Sequence, residues 1–467
     1  MEVNTQVINK NRFLIKRSDL TTLKLFVEFY LPEYQDLLGK LRDGRYPLKP
    51  LKKISRRMFD GPFGSNRKVD MYQDEGVPFI RVKDVLPGRI EKSGLTYISE
   101  EKHEELSRSR VVPGNVLITI AGRLGTATVF PEDLVEGNIT GHIAGIEPQA
   151  NINPHYLALF LNSRFGEFQV TRWGHRTTRP ELNLREVGSI LVTVPPREVQ
   201  DRIAQIMQDS YATRQAKLTQ AQQLRAGIDE FVLNELNINL AELESHRIAV
   251  KSIRSIAGGR FDFEAVVTVE ELDFNGIEPT ALNQVVQRIN DRVTPAETLS
   301  DEIINYIGLG NIESNTGQLT DFSPIPGSQI LSSSPTFKQG DILYGRMRPY
   351  LNKAWIAEFD GICSGEAVVL RPDKNKVVAQ FLHALLLSRL TLNQVIPLQS
   401  GTSLPRVSAS DVLSIRLPIS KNLDQQISIG NKIERIREKA KKLEINAANV
   451  VAEAKSRVER MILGEEA

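Results

Sequence analysis

Cysteine is almost absent from this chain of 467 residues, since Cys363 is the only one. A single cysteine excludes an internal disulfide and any zinc site built from several cysteines. No apolar run approaches the roughly 20 residues of a membrane-spanning helix, and the first residues lack the basic and apolar blocks of a secretory signal. We therefore expect a cytoplasmic protein. The net charge of +2 is nearly balanced, so any basic surface must be local.

Catalytic signatures are missing as well. The sequence has no G-x-x-x-x-G-K-[ST] phosphate loop, and Pro195-Pro196 lacks the flanking residues of an amino-methyltransferase motif. The residues after Pro131 do not complete a nuclease motif, and the six histidines show no metal-ligand spacing. These absences predict a chain that is not itself an enzyme and has no metal site.

Proline is missing from two long stretches, residues 197–236 and 424–463, each of which contains a single glycine. Apolar side chains recur at helical spacing in both, and in the second they form a heptad seam over about four heptads. The seam residues are Ile429, Ile433, Ile436, Ala440, Leu443, Ala447, Val450, Ala454 and Val458. We expect two helices of roughly 60 Å that pair within the chain as an antiparallel coiled coil. The second stretch alone would fit a homodimer equally well.

The segments before the two long helices resemble each other, which indicates an internal duplication. Val112–Ile118 and Lys338–Tyr344 each read as a turn into a strand, 226 residues apart. Each is followed by a basic loop, an apolar strand, one short amphipathic helix (residues 155–165 and 378–390) and a polar loop that ends in proline. This pattern predicts an α+β fold, with two tandem mixed α/β globules separated by the two long helices.

The predicted boundaries divide the chain into four consecutive segments. They are 1–195 for the first globule, 196–245 for the central helix, 246–418 for the second globule and 419–467 for the C-terminal helix. If the helices pair antiparallel, the globules lie at opposite ends of a spacer of about 55–60 Å. Because a helical turn of DNA measures about 34 Å, two such globules would touch two separate places on a duplex.

Polar and cationic loops in each globule are the candidate DNA-binding elements, because their residue types hydrogen-bond phosphates and base edges. The alternative for each single residue is an ordinary solvated side chain. The candidates in the first globule are Ser65, Asn66, Arg67, Lys68, Arg81, Lys83, Arg123, His175, Arg176, Thr177 and Arg179. The candidates in the second globule are Arg346, Arg348, Tyr350, Lys353, Gln399, Ser400, Thr402 and Ser403.

Three features make the chain similar to the specificity (S) subunits of Type I restriction–modification systems. They are Asp60–Ser65 followed by Gly76–Arg81, residues 337–354 followed by Asp360–Ile362, and the strand–proline–helix exit of each half. The resemblance implies a non-catalytic chain in which each globule is a target recognition domain for one half of a gapped sequence of double-stranded DNA. It implies two methyltransferase (M) subunits as partners and allows restriction (R) subunits. S-adenosylmethionine, ATP and Mg are then expected on those partners, and no cofactor on this chain.

Two other functions are compatible with the sequence. A stand-alone DNA methyltransferase or nuclease with an unrecognised active site would act on DNA without partners. A structural coiled-coil protein would dimerise through its C-terminal heptads and would keep its dimer if the central helix were deleted.

Overall fold

Two compact units make up the chain in the computed structural model. The structure describes residues 5–9, 12–15, 30–62, 72–174, 180–238 and 278–466, with side chains described from residue 30 onward. Unit 1 comprises Met1–Gln215 and Ala447–Ala467, and unit 2 comprises Ala216–Asn446. Each unit therefore contains one globule together with part of each long helix. The predicted division into four consecutive segments stays a prediction.

The helices of the described residues are short except for two. They are α1 (Pro32–Asp43), α2 (Glu100–Glu105), α3 (Pro154–Asn162), α4 (Arg164–Gly174), α5 (Leu184–Gly188), α6 (Arg197–Glu235), α7 (Pro295–Thr298), α8 (Ala379–Leu387), α9 (Arg389–Val395), α10 (Ala409–Ser414) and α11 (Leu423–Leu463). The long helices α6 and α11 occupy the two proline-free stretches, as predicted.

The strands of unit 1 lie before α6. They are β1 (Thr5–Asn9), β2 (Arg12–Ile15), β3 (Leu48–Pro50), β4 (Ser55–Asp60), β5 (Val77–Ile80), β6 (Val85–Leu86), β7 (Arg89–Ile90), β8 (Thr96–Ile98), β9 (Arg110–Val111), β10 (Val116–Thr119), β11 (Ala127–Val129), β12 (Gly137–Ile139), β13 (Ile143–Pro148) and β14 (Leu191–Thr193).

The strands of unit 2 lie between the long helices. They are β15 (Thr280–Ala281), β16 (Val286–Ile289), β17 (Arg292–Val293), β18 (Ile303–Ile304), β19 (Tyr306–Ile307), β20 (Ile325–Pro326), β21 (Ser334–Phe337), β22 (Ile342–Gly345), β23 (Ala354–Ile356), β24 (Gly361–Cys363), β25 (Ala367–Pro372) and β26 (Arg416–Leu417).

The first sheets of the two units have matching topology, and the second sheets share three equivalent strands but carry their fourth strand on opposite edges. Unit 1 has the strand orders β11-β10-β13-β4 and β8-β5-β12-β9, while unit 2 has β23-β22-β25-β16 and β17-β21-β24-β19. In each unit one pair of the second sheet is parallel, β5 with β12 and β19 with β24. A short strand that precedes the first sheet of each unit pairs with the strand that precedes the long helix, β3 with β14 and β15 with β26. The predicted fold class and the internal duplication are therefore confirmed.

Each short amphipathic helix predicted from the sequence is in fact two helices. α3 and α4 meet at Ser163, and α8 and α9 meet at Ser388. Both serines have extended backbone, and the hydroxyl of each donates to a carbonyl three residues back. A serine that satisfies the last turn of one helix in this way competes with continued helical hydrogen bonding. The hydrophobic period continues across the break, so the pattern alone did not show it.

Buried glutamines occupy equivalent positions in the two units. The Gln169 side chain accepts a hydrogen bond from the backbone N–H of Leu191 and donates one to its carbonyl. The Gln394 side chain makes the same two bonds with Arg416. A buried amide that completes a strand edge in both copies shows that the duplication extends to individual polar contacts.

The long helices form part of the hydrophobic core in each unit. In unit 1 the start of α6 and the end of α11 pack against the sheet, through residues such as Ile203, Met207, Val458 and Ile462. In unit 2 the end of α6 and the start of α11 do so, through residues such as Val232, Leu233, Ile429 and Ile433. The start of one helix accompanies the end of the other in both units, which is the antiparallel order that was predicted.

No single helix within the described ranges is long and apolar enough to cross a membrane. One bent pair, Ala379–Leu387 with Arg389–Leu398, meets the criterion by length and composition only, with a bend of 59°. Its apolar residues include Phe381, Leu382 and Leu385, which lie in the core of unit 2.

Candidate nucleic-acid interface

Three of the predicted cations of unit 1 lie around one short segment after β5. The backbone N–H and the Nε of Arg81 donate to Asp84 at 2.9 and 3.2 Å, and its guanidinium also donates to the Gly94 carbonyl. The guanidinium of Arg123 donates to the Val85 carbonyl. Lys83 keeps 63% of its side chain exposed. The structure therefore brings these three cations together, with Lys83 and Arg123 both exposed.

The other candidates of unit 1 belong to two sequence segments. Ser65, Asn66, Arg67 and Lys68 belong to the first, and His175, Arg176, Thr177 and Arg179 belong to the second. Both sets lie outside the residues that the structure describes.

In unit 2 the candidates after β22 form a tight turn. Arg348 and Asn352 have left-handed backbone, with φ of 50° and 49°, and they flank the turn Pro349–Leu351. This conformation is unusual for residues other than glycine and fixes the directions of neighbouring side chains. Arg348 and Tyr350 are exposed. Lys353 instead donates from Nζ to the Leu309 carbonyl at 2.6 Å, and burial lowers the pKa of its ammonium group.

The second candidate loop of unit 2 packs beside this turn. Ser400 and Arg406 exchange two backbone hydrogen bonds of 2.8 Å, which close the loop between them. Gln399 is half-buried, while Thr402 and Ser403 are exposed at the tip. The Arg348 N–H donates to the Pro405 carbonyl at 2.7 Å, so the two candidate loops form one surface.

An ionic cluster joins the two loops to the start of β25. Arg406 contacts both carboxylate oxygens of Glu366, from Nε at 3.1 Å and from Nη2 at 3.0 Å. These hydrogen bonds raise the pKa of Arg406. Arg346 approaches the same carboxylate, with its Nε 3.5 Å from Oε2. We call Arg346, Glu366 and Arg406 the 346 cluster.

The predicted candidates included only Arg346 from this cluster. The sequence indicated Arg406 only weakly as a site residue, because it directly follows the polar loop that ends in Pro405. Glu366 had none, since an acidic residue is not expected at a DNA-binding surface and it lies 20 positions from Arg346 in sequence.

The backbone around the 346 cluster is held by pairing between β22 and β25. The Arg346 N–H donates to the Glu366 carbonyl at 3.0 Å, and the Val407 N–H donates to the Arg346 carbonyl at 3.0 Å. Met347 and Arg406 form an antiparallel bridge. These contacts follow the last strand pair, in which Gly345 faces Ala367.

Unit 1 has the same backbone arrangement with different side chains. The Ile120 N–H donates to the His142 carbonyl at 2.9 Å, and the Leu182 N–H donates to the Ile120 carbonyl at 2.8 Å. Ala121 and Glu181 form the corresponding antiparallel bridge. Ile120, His142 and Glu181 thus stand where unit 2 has Arg346, Glu366 and Arg406.

Within the described residues, no group of three or more His, Cys, Asp or Glu side chains could hold a metal ion. Burial raises the pKa of the Cys363 thiol to about 12, so this side chain stays protonated at neutral pH.

Comparisons with known proteins agree with this organisation. Residues 64–225 match a family model described as the Type I restriction modification DNA specificity domain. The chain is 29% identical over 147 residues to the Type I restriction enzyme EcoDI specificity subunit of Escherichia coli, with 32% of each chain covered. It is also 29% identical over 139 residues to the EcoBI specificity subunit of Escherichia coli, covering 30% of this chain and 29% of the relative. The matches span about a third of the length of these curated relatives.

The fold has a counterpart among solved structures. A chain from a structure on complex assembly and conformational transition of the type I R-M system superposes with a TM-score of 0.51 and 16% identity. The superposition covers 91% of this chain and 98% of the other. At this level of identity the likeness shows the fold alone.

Proposed function

We propose, from the confirmed likeness of this chain to the specificity subunits of Type I restriction–modification systems, that each unit reads one half of a gapped DNA target. The observation that carries this proposal is the pair of equivalent backbone frameworks with different side chains. Two units that share a backbone framework but carry different side chains on it would recognise two different DNA sequences. DNA specificity arises from such side chains at base edges, while backbone and phosphate contacts set position.

The chain itself would not be catalytic, and its partners would supply the chemistry. Because the duplication presents equivalent surfaces in both units, two copies of a methyltransferase (M) subunit would bind this chain in the same manner. Restriction (R) subunits could then join a larger complex. S-adenosylmethionine, ATP and Mg would be bound by those partners, since the sequence of this chain has no motif for them.

The candidate surface residues fit this role unequally. Lys83, Arg348 and Tyr350 are exposed and would contact DNA directly, as would Thr402 and Ser403. Arg81, Arg123 and Lys353 each bind a backbone carbonyl of their own unit. We propose that these three hold the recognition loops in place, with any DNA contact made by their remaining donor hydrogens.

Methylome sequencing of a host with and without this chain, co-expressed with its cognate M subunit, tests the proposal. We expect methylation at a two-part motif with a fixed gap, and none when the chain is omitted. Footprinting with the purified complex should show two protected blocks. A single continuous block, the absence of sequence preference, or methyl transfer by this chain alone would contradict the proposal.

A further inference from the structure

Arg346 has more unoccupied hydrogen-bond donors than Arg406. Arg406 is occupied, because its Nε and Nη2 bind Glu366 and its Nη1 donates to the Leu404 carbonyl at 3.3 Å. Arg346 forms an ion pair with Glu366, with its Nε 3.5 Å from Oε2, but this buried Nε makes no hydrogen bond within the described residues. Among the described residues, no hydrogen-bond acceptor lies against its two terminal nitrogens, and 34% of the side chain is exposed. The guanidinium of Arg346 is therefore oriented by an ion pair on its Nε side, and its two terminal nitrogens are open to an external acceptor.

The 346 cluster is not needed to build the backbone around it. Unit 1 forms the same hydrogen bonds with Ile120, His142 and Glu181 at the three positions. Ile120 is 1% exposed and belongs to the hydrophobic core of unit 1. The arrangement of Arg346, Glu366 and Arg406 therefore serves something other than the local fold.

The carboxylate of Glu366 indicates which part of DNA this site would contact. A carboxylate beside a phosphate group would repel it, so Glu366 makes the site a poor phosphate clamp. Guanine presents two acceptors, O6 and N7, at its major-groove edge, and an arginine fork binds both at once. Such bidentate binding is favoured when the guanidinium plane is restricted, and the ion pair with Glu366 on the Nε side restricts it.

We infer that Arg346 reads a guanine in the half-site recognised by unit 2, and that Glu366, clamped by Arg406, is the positioning residue that orients it. The inference rests on the proposed function and adds the base that is read and the residues that read it. It applies to one half-site only, because the buried Ile120 offers no donor at the equivalent place in unit 1.

Selection of duplex DNA with randomised half-sites by the complex of this chain with its M subunit tests the inference. We expect Arg346→Lys, which keeps the charge but loses the fork, to reduce discrimination at one guanine by about 10-fold or more. Glu366→Gln should relax the same position to a smaller extent. The salt dependence of binding should stay unchanged for Arg346→Lys, since the charge is retained.

Arg389→Lys is the matched control, because Arg389 also pairs with a carboxylate of unit 2, Asp229 at 2.6 Å. It should leave the selected motif intact. A second variant tests for a merely structural role by carrying the side chains of unit 1, as Arg346→Ile, Glu366→His and Arg406→Glu together. It should melt within a few degrees of the wild type and lose the guanine preference.

Two results would overturn the inference. One is an unchanged motif in Arg346→Lys and Glu366→Gln, and the other is an equal loss of affinity for every sequence. Either would leave the proposed function standing as long as the wild-type complex selects a two-part motif. If the wild type selects no sequence at all, the proposed function fails and the assignment of Arg346 fails with it.

Discussion

One buried glutamine side chain near the start of each long helix hydrogen-bonds that helix to its globule. Gln426 at the start of α11 is fully buried, accepts from the Val378 N–H at 2.8 Å, and donates to the carbonyls of Lys376 and Ser420. Gln200 makes the equivalent set of bonds near the start of α6. Removal of such a side chain leaves several buried backbone groups without partners.

We therefore predict that Gln426→Ala lowers the free energy of unfolding of unit 2 by about 2–4 kcal/mol. Urea denaturation followed by tryptophan fluorescence measures it, in a Trp173→Phe background in which Trp355 reports on unit 2 alone. The exposed neighbour Gln425 is the control, and Gln425→Ala should change stability by less than about 0.5 kcal/mol. Equal effects of the two substitutions would show that the buried bonds contribute little.

A buried histidine makes unit 2 sensitive to acid. Burial, with a smaller effect of Arg437, lowers the pKa of His383 to about 3, and the ring Nε2 donates to the Ala354 carbonyl at 3.0 Å. An unfolded histidine has a pKa of about 6.5, so below that pH the unfolded state binds a proton that the folded state excludes. The contribution of neutral His383 to the free energy of unfolding is therefore fully present above about pH 6.5 and is lost progressively as the pH drops towards 3.

We expect the loss to reach about 1.4 kcal/mol per pH unit, and His383→Gln to remove this part of the pH dependence. Urea denaturation between pH 7 and 4 measures the slope independently of any constant change in stability. His155 is the comparison, because it is exposed in unit 1 and partial desolvation still lowers its pKa. Identical slopes for wild type and His383→Gln would assign the acid sensitivity to other groups.

At the scale of elements, the long helices were predictable because their signal is local. The absence of proline and the heptad spacing lie in consecutive residues, and the predicted seam is buried at Ile429, Ile433, Ala440, Ala447 and Ala454. The breaks at Ser163 and Ser388 were not predictable in the same way. They depend on a serine hydroxyl and a packed sheet, which leave no trace in the hydrophobic period.

Alanine in the seam sets how closely the helices approach. Ala440 on α11 and Ala221 on α6 are both fully buried in unit 2, where larger side chains would have to displace the neighbouring helix. We predict that Ala440→Leu lowers the free energy of unfolding by about 1–3 kcal/mol through overpacking. Ala448→Leu places the same side chain on the exposed face of α11 and should be nearly neutral. Circular dichroism melting curves compare the two, and a neutral Ala440→Leu would indicate a loosely packed seam.

At the scale of the whole molecule, the duplication was visible in sequence because turns and strands recur at a nearly constant interval. The composition of the candidate DNA-binding surface of unit 2 was not visible in the sequence. Glu366 reaches Arg346 only because β22 and β25 pair with Gly345 opposite Ala367, and Arg406 arrives from a third segment. Such convergence depends on strand register, which a hydrophobic pattern does not specify for residues beyond the strand ends.

The length of the two long helices should determine the gap between the half-sites, if each unit reads one of them. We predict that four extra residues in both helices, after Gln215 in α6 and after Asn446 in α11, lengthen the gap by about one to two base pairs. These positions are the boundaries of the compact units, so the candidate DNA-binding residues of both units are unaltered. Methylome sequencing with the inserted chain gives the gap directly, and inserts of four alanines favour continued helix. Half-sites that change while the gap stays fixed would refute a spacing role for the helices and would instead place sequence recognition within them.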